Sequence, residues 1–234
     1  MGSQRSNAMP ETTVSGGLDR SARDPGGRFK PSLIAISGLL LVVFLALHLG
    51  GLLPALVDPP AFERFAAGLH ARPWLPVVEI ALAGSLLIHP LLALDWAVRN
   101  HRARGPVAGP IRSRREGPGE GLAAIAARTL PLSGALLALF LVVHLQQLRL
   151  QRPQAGEELS AVLQALHPFW SLALYVAAGA AAGLHLFHGQ ESAHRRLGLL
   201  DPGNRSTIRQ FGRALALLLG VGFAGLPLAL VLRH

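Results

Sequence analysis

Four histidines carry the chemistry this sequence can do. His48, His89, His144 and His185 each lie inside a long apolar run. They repeat as a set: His144 follows His48, and His185 follows His89, by the same 96 positions, and within each repeat the second histidine follows the first by 41 positions. An ionisable side chain in a membrane helix is costly and marks function by default. One such histidine is as often an interhelical hydrogen bond, but four at symmetry-related positions argue for bound centres. Two neutral imidazoles facing each other can hold one metal from opposite sides. Zinc prefers four ligands in a closed site, and no carboxylate or thiol sits at these depths to complete it. A haem iron brings four porphyrin nitrogens and takes just two protein ligands. Two bis-histidine b-type haems are the economical reading, with His48, His89, His144 and His185 as the iron ligands.

The elements that must position these residues repeat as well. Ser37-Gly38 returns as Ser133-Gly134, Phe44 as Phe140, Trp74 as Trp170 and Arg99 as Arg195, with no gap in the offset. A fixed internal period is read before anything else because it decides the fold. Leu33–Val57, Trp74–Val98, Leu130–Leu148, Phe169–Leu186 and Ala214–Leu232 are apolar, and each is long enough, or nearly so, for the about 20 helical residues that cross a bilayer. The expected fold is an all-α membrane protein with five transmembrane helices. Helices one to four form a four-helix bundle from two parallel repeats, and a peripheral fifth helix stands outside the duplication. Both repeats run in the same sense, so a pseudo-two-fold axis lies along the membrane normal. That axis puts helix one opposite three and helix two opposite four.

Boundaries follow from composition. Residues 1–27 read as a disordered polar segment whose first eight residues are a cloning remnant, and 28–234 as the membrane domain. Repeat one spans about 28–99, a basic Pro/Gly-rich linker about 100–123, repeat two about 124–195 and the fifth helix about 213–232. Helical spacing of Phe62, Phe65, Ala66 and Leu69, and of Leu159, Val162, Leu163 and Leu166, predicts two short amphipathic surface helices.

The net charge of +9 invites a nucleic-acid partner, but its placement excludes one. Arginines crowd the segment before helix one and the loops two-to-three and four-to-five, while Asp58, Glu63, Glu157 and Glu158 lie in the other two. This is the positive-inside pattern. It predicts a multi-pass protein of the cytoplasmic (inner) membrane, in contact with lipid, with a cytoplasmic N-terminus and an outside C-terminus. The absence of cysteine rules out thiolate-ligated clusters and covalently attached haem within the chain.

Depth pairs the ligands. At 1.5 Å per residue His48 lies about 25 Å from the cytoplasmic face and His89 about 15 Å, and their repeat mates match. The outer haem is thus assigned to His48 and His144 and the inner to His89 and His185, very roughly 10 Å apart along the normal. Gly38 and Gly134 near the inner level, and Gly84, Ser85, Ala177, Ala178 and Gly179 near the outer, either leave room for a porphyrin or simply pack helices. Lys30, Arg128, Ser37 and Ser133 are candidates to hold inner haem propionates. Glu79 and Asp95, at opposite ends of helix two, are the acids best placed to carry a proton near a membrane face. His188 has Leu92 as its repeat mate and is set aside, as are His70 and His167 in the outer segments. The GVGFAG string at 220–225 fits a dinucleotide-binding pattern but lies inside a membrane run without a preceding strand, so it is read as packing glycine. A haem-free transporter with a histidine proton relay is an alternative reading.

From about Arg28 to the C-terminus the chain resembles a known family, the single-chain, two-haem, five-helix cytochrome b anchors of succinate dehydrogenase and fumarate reductase (complex II). The resemblance is carried by SGLLLVVFLALHLGG, AFERFAAGLHARPWLPVVEIA, RTLPLSGALLALFLVVHL and above all GLHLFHGQESAHRRLGLLDP. It implies that the four haem ligands are His48, His89, His144 and His185. It further implies a flavoprotein subunit and an iron–sulfur subunit docked on the cytoplasmic face, and a quinone, expected to be menaquinone, as the electron partner. Such a subunit is not catalytic alone. Glu79 and Asp95 are then the candidates for quinone protonation, and a dihaem cytochrome b subunit serving another quinone-linked dehydrogenase is the alternative reading. Two residues depart from what the family shows. His89 is followed by Pro90, which removes a helix donor and predicts a kink or loosening near the ligand. Where a proton-coupling member has glutamate two residues before the helix-four ligand, this chain has Gly183.

Overall fold

The structure, a computed structural model, describes residues 25–104 and 119–234. Among them are eight α-helices: α1 (Pro25–Leu52), α2 (Pro54–Val57), α3 (Pro59–His70), α4 (Leu75–Arg104), α5 (Glu120–His144), α6 (Glu158–Leu166), α7 (Phe169–Arg196) and α8 (Arg205–Arg233). A π-helical turn, Leu145–Arg149, continues α5. The chain is an all-α membrane protein: five of these helices are long and apolar enough to cross a bilayer. Residues 1–24 and 105–118, most of the expected N-terminal segment and linker, lie outside the described residues. The linker's described ends are helical, since α4 runs to Arg104 and α5 starts at Glu120.

Helix ends follow local chemistry. Asp58 caps α3 by accepting from the Ala61 amide at 3.0 Å, ahead of Pro59 and Pro60, where missing N–H groups cost nothing. Gly198, at φ 71°, ends α7. The Leu199 and Gly198 amides reach back to the His194 and Arg195 carbonyls at 3.0 and 3.2 Å, the paired bonds that close a helix through a left-handed glycine. His194, Arg195 and Arg196 in that last turn suit the negative end of the helix dipole. α4 stays α-helical through Pro90. The two short helices expected from periodicity are α3 and α6, and they meet each other at one end of the bundle.

α1 packs on α4 and α7, and α5 packs on α7, while α4 and α5 make little contact. The helices thus form a ring in the order α1, α4, α5, α7, with α1 opposite α5 and α4 opposite α7. Side chains such as Leu47, Ile80, Leu87, Leu91 and Leu139 face outward, which suits lipid.

The fifth spanning helix lies outside the repeat but is not loosely attached. α8 has its most extensive contact with α7 and also touches α1. Small residues allow this: a Cβ added at Gly179 would fall 2.5 Å from the Phe223 carbonyl carbon and 2.7 Å from the Ala224 Cα, and one at Gly183 would fall 3.0 Å from the Gly220 Cα. Close backbone approach through small residues is how helices associate without a hydrophobic drive. The glycines of 220–225 are packing glycines at Gly220, against Gly183, and at Gly222, against Leu49. At Gly183 the space a side chain would take is filled by α8 backbone, at the Gly220 Cα and the Ala216 carbonyl oxygen.

Candidate functional site

Both diagonals of the bundle are spanned by histidines. His48 of α1 and His144 of α5 have ring centroids 6.0 Å apart with planes at 80°. His89 of α4 and His185 of α7 are 6.3 Å apart at 72°. The pairs are the ones expected from depth. Their spacing is wider than expected: His89 lies level with Ser37 and Gly38 of α1, ten residues before His48, which corresponds to about 15 Å along the helix.

The second pair shows which ring nitrogen carries the proton. His89 Nδ1 lies 3.1 Å from the Ile34 carbonyl oxygen, which accepts only. Nδ1 is therefore the protonated nitrogen. The Ser37 hydroxyl donates to the Leu33 carbonyl at 2.7 Å and offers its lone pair to the same Nδ1 at 3.4 Å. The arrangement repeats 96 residues on: Ser133 donates to the Leu130 carbonyl at 3.0 Å and accepts from His185 Nδ1 at 3.2 Å. A glycine lies behind each ring, and at Gly38 its missing side chain makes room. A Cβ at Gly38 would fall 2.9 Å from His89 Cε1, and one at Gly134 3.4 Å from His185 Cε1.

The first pair is built differently. Phe44 stacks on His48 at 5.2 Å and Phe140 on His144 at 5.3 Å, one helical turn away in each case. His144 Nδ1 lies 3.2 Å from the Tyr175 hydroxyl, which itself donates to Gln147 Oε1 at 3.1 Å. The phenol oxygen thus accepts from His144. His48 instead has the Phe223 ring of α8 stacked near it, 6.0 Å away.

Three of the four histidines therefore keep a bare Nε2 lone pair, the state a metal ligand requires. Two imidazoles binding one metal through Nε2, each at about 2.0–2.1 Å, have ring centres about 6 Å apart. Edge-to-face rings in plain contact span about 4.5–7 Å, so the proton positions carry more weight than the separation. Among the described residues no three His, Cys, Asp or Glu side chains come together as a metal site. Each pair thus suits a centre that needs two protein ligands. A third observation concerns charge. Arg196 lies over the Trp96 ring at 4.3 Å, and its Nη1 is buried with no hydrogen-bond partner among the described residues. It lies eleven residues beyond His185 on α7, where a carboxylate of a bound cofactor would satisfy it.

Most of the residues chosen from sequence for propionates and quinone have protein partners. Ser37 and Ser133 serve the histidine rings and their own helix. Lys30 lies 3.6 Å from Asp95, and Arg128 is exposed. Asp95 also accepts from Arg99 at 2.9 Å. Glu79 accepts from the Arg149 guanidinium at 3.1 and 2.6 Å. Of the small residues near the first pair, Gly179 packs on α8, while Gly84 faces open space.

Sequence reasoning passed over Tyr175, Gln147, Phe223, Arg196 and a carboxylate pair between the short helices. Glu63 of α3 accepts from the first amides of α6, Glu158 and Leu159, at 3.0 and 2.9 Å. Glu158 is buried, and its Oε1 has no hydrogen-bond partner among the described residues, with His70 Nδ1 3.6 Å away. Burial, then the facing Glu158 carboxyl, raises the Glu63 pKa. Burial pushes Glu158 the same way, but the Glu63 contact and the Gly156 and Glu158 amides outweigh it and leave Glu158 below the ordinary value. A proton on Glu63 directed at the Glu158 carboxyl would account for both shifts. Burial, then the nearby Arg152, lowers the His70 pKa, with Glu158 opposing. A cavity of about 450 Å³ lined by Glu63, Leu159, Leu163 and His167 opens beside the pair.

No family model matches the chain, and neither a curated protein nor a solved structure does.

Proposed function

We propose that the chain is the membrane-anchoring dihaem cytochrome b subunit of a succinate:quinone oxidoreductase or quinol:fumarate reductase. One observation carries the reading. Two diagonal histidine pairs occur at two levels of one bundle, with Nδ1 engaged and Nε2 free in at least three of the four rings. Bound haem supplies a one-electron carrier at each level. The protein's own residues do the rest. The four histidines bind, the Ser37, Ser133, Ile34 and Tyr175 oxygens fix ring orientation, and Arg196 offers a partner for a propionate. The packed α7–α8 face and the phenylalanines exclude water from the His48/His144 level.

The resemblance supplies the partners: a flavoprotein subunit and an iron–sulfur subunit on the cytoplasmic face, with a quinone in the membrane. Arg195 and Arg209, which bracket Glu191 at 2.8 and 3.1 Å, lie at the Arg-rich end of α7 and α8, which suits a docking face there. The test is affinity purification of the chain from its native membrane. The reading expects a flavoprotein and an iron–sulfur protein in the same peak, with succinate- or fumarate-linked quinone activity. Recovery with a different dehydrogenase contradicts it.

A further inference from the structure

We propose that Tyr175 is a positioning residue that sets the reduction potential of the His48/His144 centre by making its two ligands unequal. This rests on the haem reading above. Tyr175 is the chain's single tyrosine. Its ring crosses His144 at 5.8 Å and Phe140 at 4.9 Å, and its hydroxyl meets His144 Nδ1. The hydroxyl proton is taken by Gln147, whose amide is oriented in turn by donation from Nε2 to the buried Ser171 hydroxyl at 3.2 Å. The chain of bonds makes the phenol oxygen an acceptor, and an acceptor on the far nitrogen raises the basicity of a ligating imidazole.

Repeat one has none of this. The positions 96 residues before Tyr175, Gln147 and Ser171 are Glu79, Gly51 and Leu75. Glu79 is the one residue there with an acceptor, and Arg149 occupies both its oxygens. Arg149 and Gln147 come from the same π turn. One irregular turn directly after His144 thus supplies the network on one ligand and ties up the matching acid on the other. π-helical turns of this kind concentrate at functional sites. His48 is left against Phe44 and Phe223. At the other level, by contrast, Ser37 and Ser133 serve both ligands alike.

The experiment is redox potentiometry of the purified protein, with the His48/His144 component assigned from histidine variants. Tyr175→Phe keeps the ring but removes the acceptor, so the midpoint of that component shifts upward while the other stays. Gln147→Glu pulls harder on the phenol proton, so the same midpoint shifts downward, and the shift shrinks in a Tyr175→Phe background. A purely structural role moves neither midpoint, or both together, and either result overturns the inference. Absence of haem from the wild-type protein is a different result, and it removes the function proposed above.

Discussion

The Phe223 ring stacks near the His48 imidazole, with centroids 6.0 Å apart and planes at 26°. Phe223 belongs to α8, which the internal duplication does not include, so this contact has no counterpart at His144. A helix outside the repeat reaches one of the four key residues and breaks their symmetry.

That contact depends on how closely α8 approaches α7. Gly179→Ala introduces a Cβ that meets the Phe223 and Ala224 backbone at 2.5 and 2.7 Å, and backbone cannot swing aside. Overpacking of this kind costs about 1–3 kcal/mol. Gly225→Ala meets nothing within 4 Å and, as a helix-interior change, is neutral or stabilising by roughly 0.5–1 kcal/mol. Thermal denaturation in detergent compares them. Equal melting of the two variants would show that the α7–α8 contact is looser than described.

The glycines behind the second pair give an asymmetric prediction. Gly38→Ala places its Cβ 2.9 Å from His89 Cε1, so the ring must move, whereas Gly134→Ala meets His185 at an ordinary 3.4 Å. Gly38→Ala is expected to weaken or shift the His89/His185 haem signal, while Gly134→Ala leaves it intact. The visible spectrum of each variant decides. A stronger loss in Gly134→Ala would contradict the geometry.

Much of this architecture is legible from the sequence, because a 96-residue offset and apolar run lengths are properties of single residues and their spacing. The pairing of His48 with His144 and His89 with His185 follows from helix order and depth alone. Tyr175, Gln147 and Phe223 are not legible, for two physical reasons. The π turn Leu145–Arg149 adds a residue to the helical repeat, so ideal α spacing misplaces Gln147 and Arg149. Phe223 sits on α8, for which the repeat predicts no neighbour. Ser37 and Ser133 show a subtler limit: the repeat marks them as important, but only the bonds reveal that they orient imidazoles.

The Glu63–Glu158 pair makes the α3–α6 end sensitive to pH. The raised Glu63 pKa gives a stabilising contribution that is complete below the ordinary glutamate value of about 4.3 and is lost as pH rises through the raised value. The lowered Glu158 pKa gives one that is present above that value and is lost only in stronger acid. Hydrogen exchange at the Leu159 amide should therefore speed up, beyond its intrinsic rise, as pH climbs past the ordinary carboxylate range. Glu158→Gln supplies a permanent donor to Glu63 and should flatten that dependence. An unchanged pH profile in Glu158→Gln would mean that the two carboxyls do not share a proton.

Haem stoichiometry, read by pyridine haemochrome assay on the purified wild-type protein and the four single histidine-to-alanine variants, tests the central claim most directly. The account predicts two b-type haems per chain. His48→Ala and His144→Ala should lose one and the same spectral component, and His89→Ala and His185→Ala the other. A wild-type protein without haem, or variants of His48 and His89 that lose the same component, would contradict it.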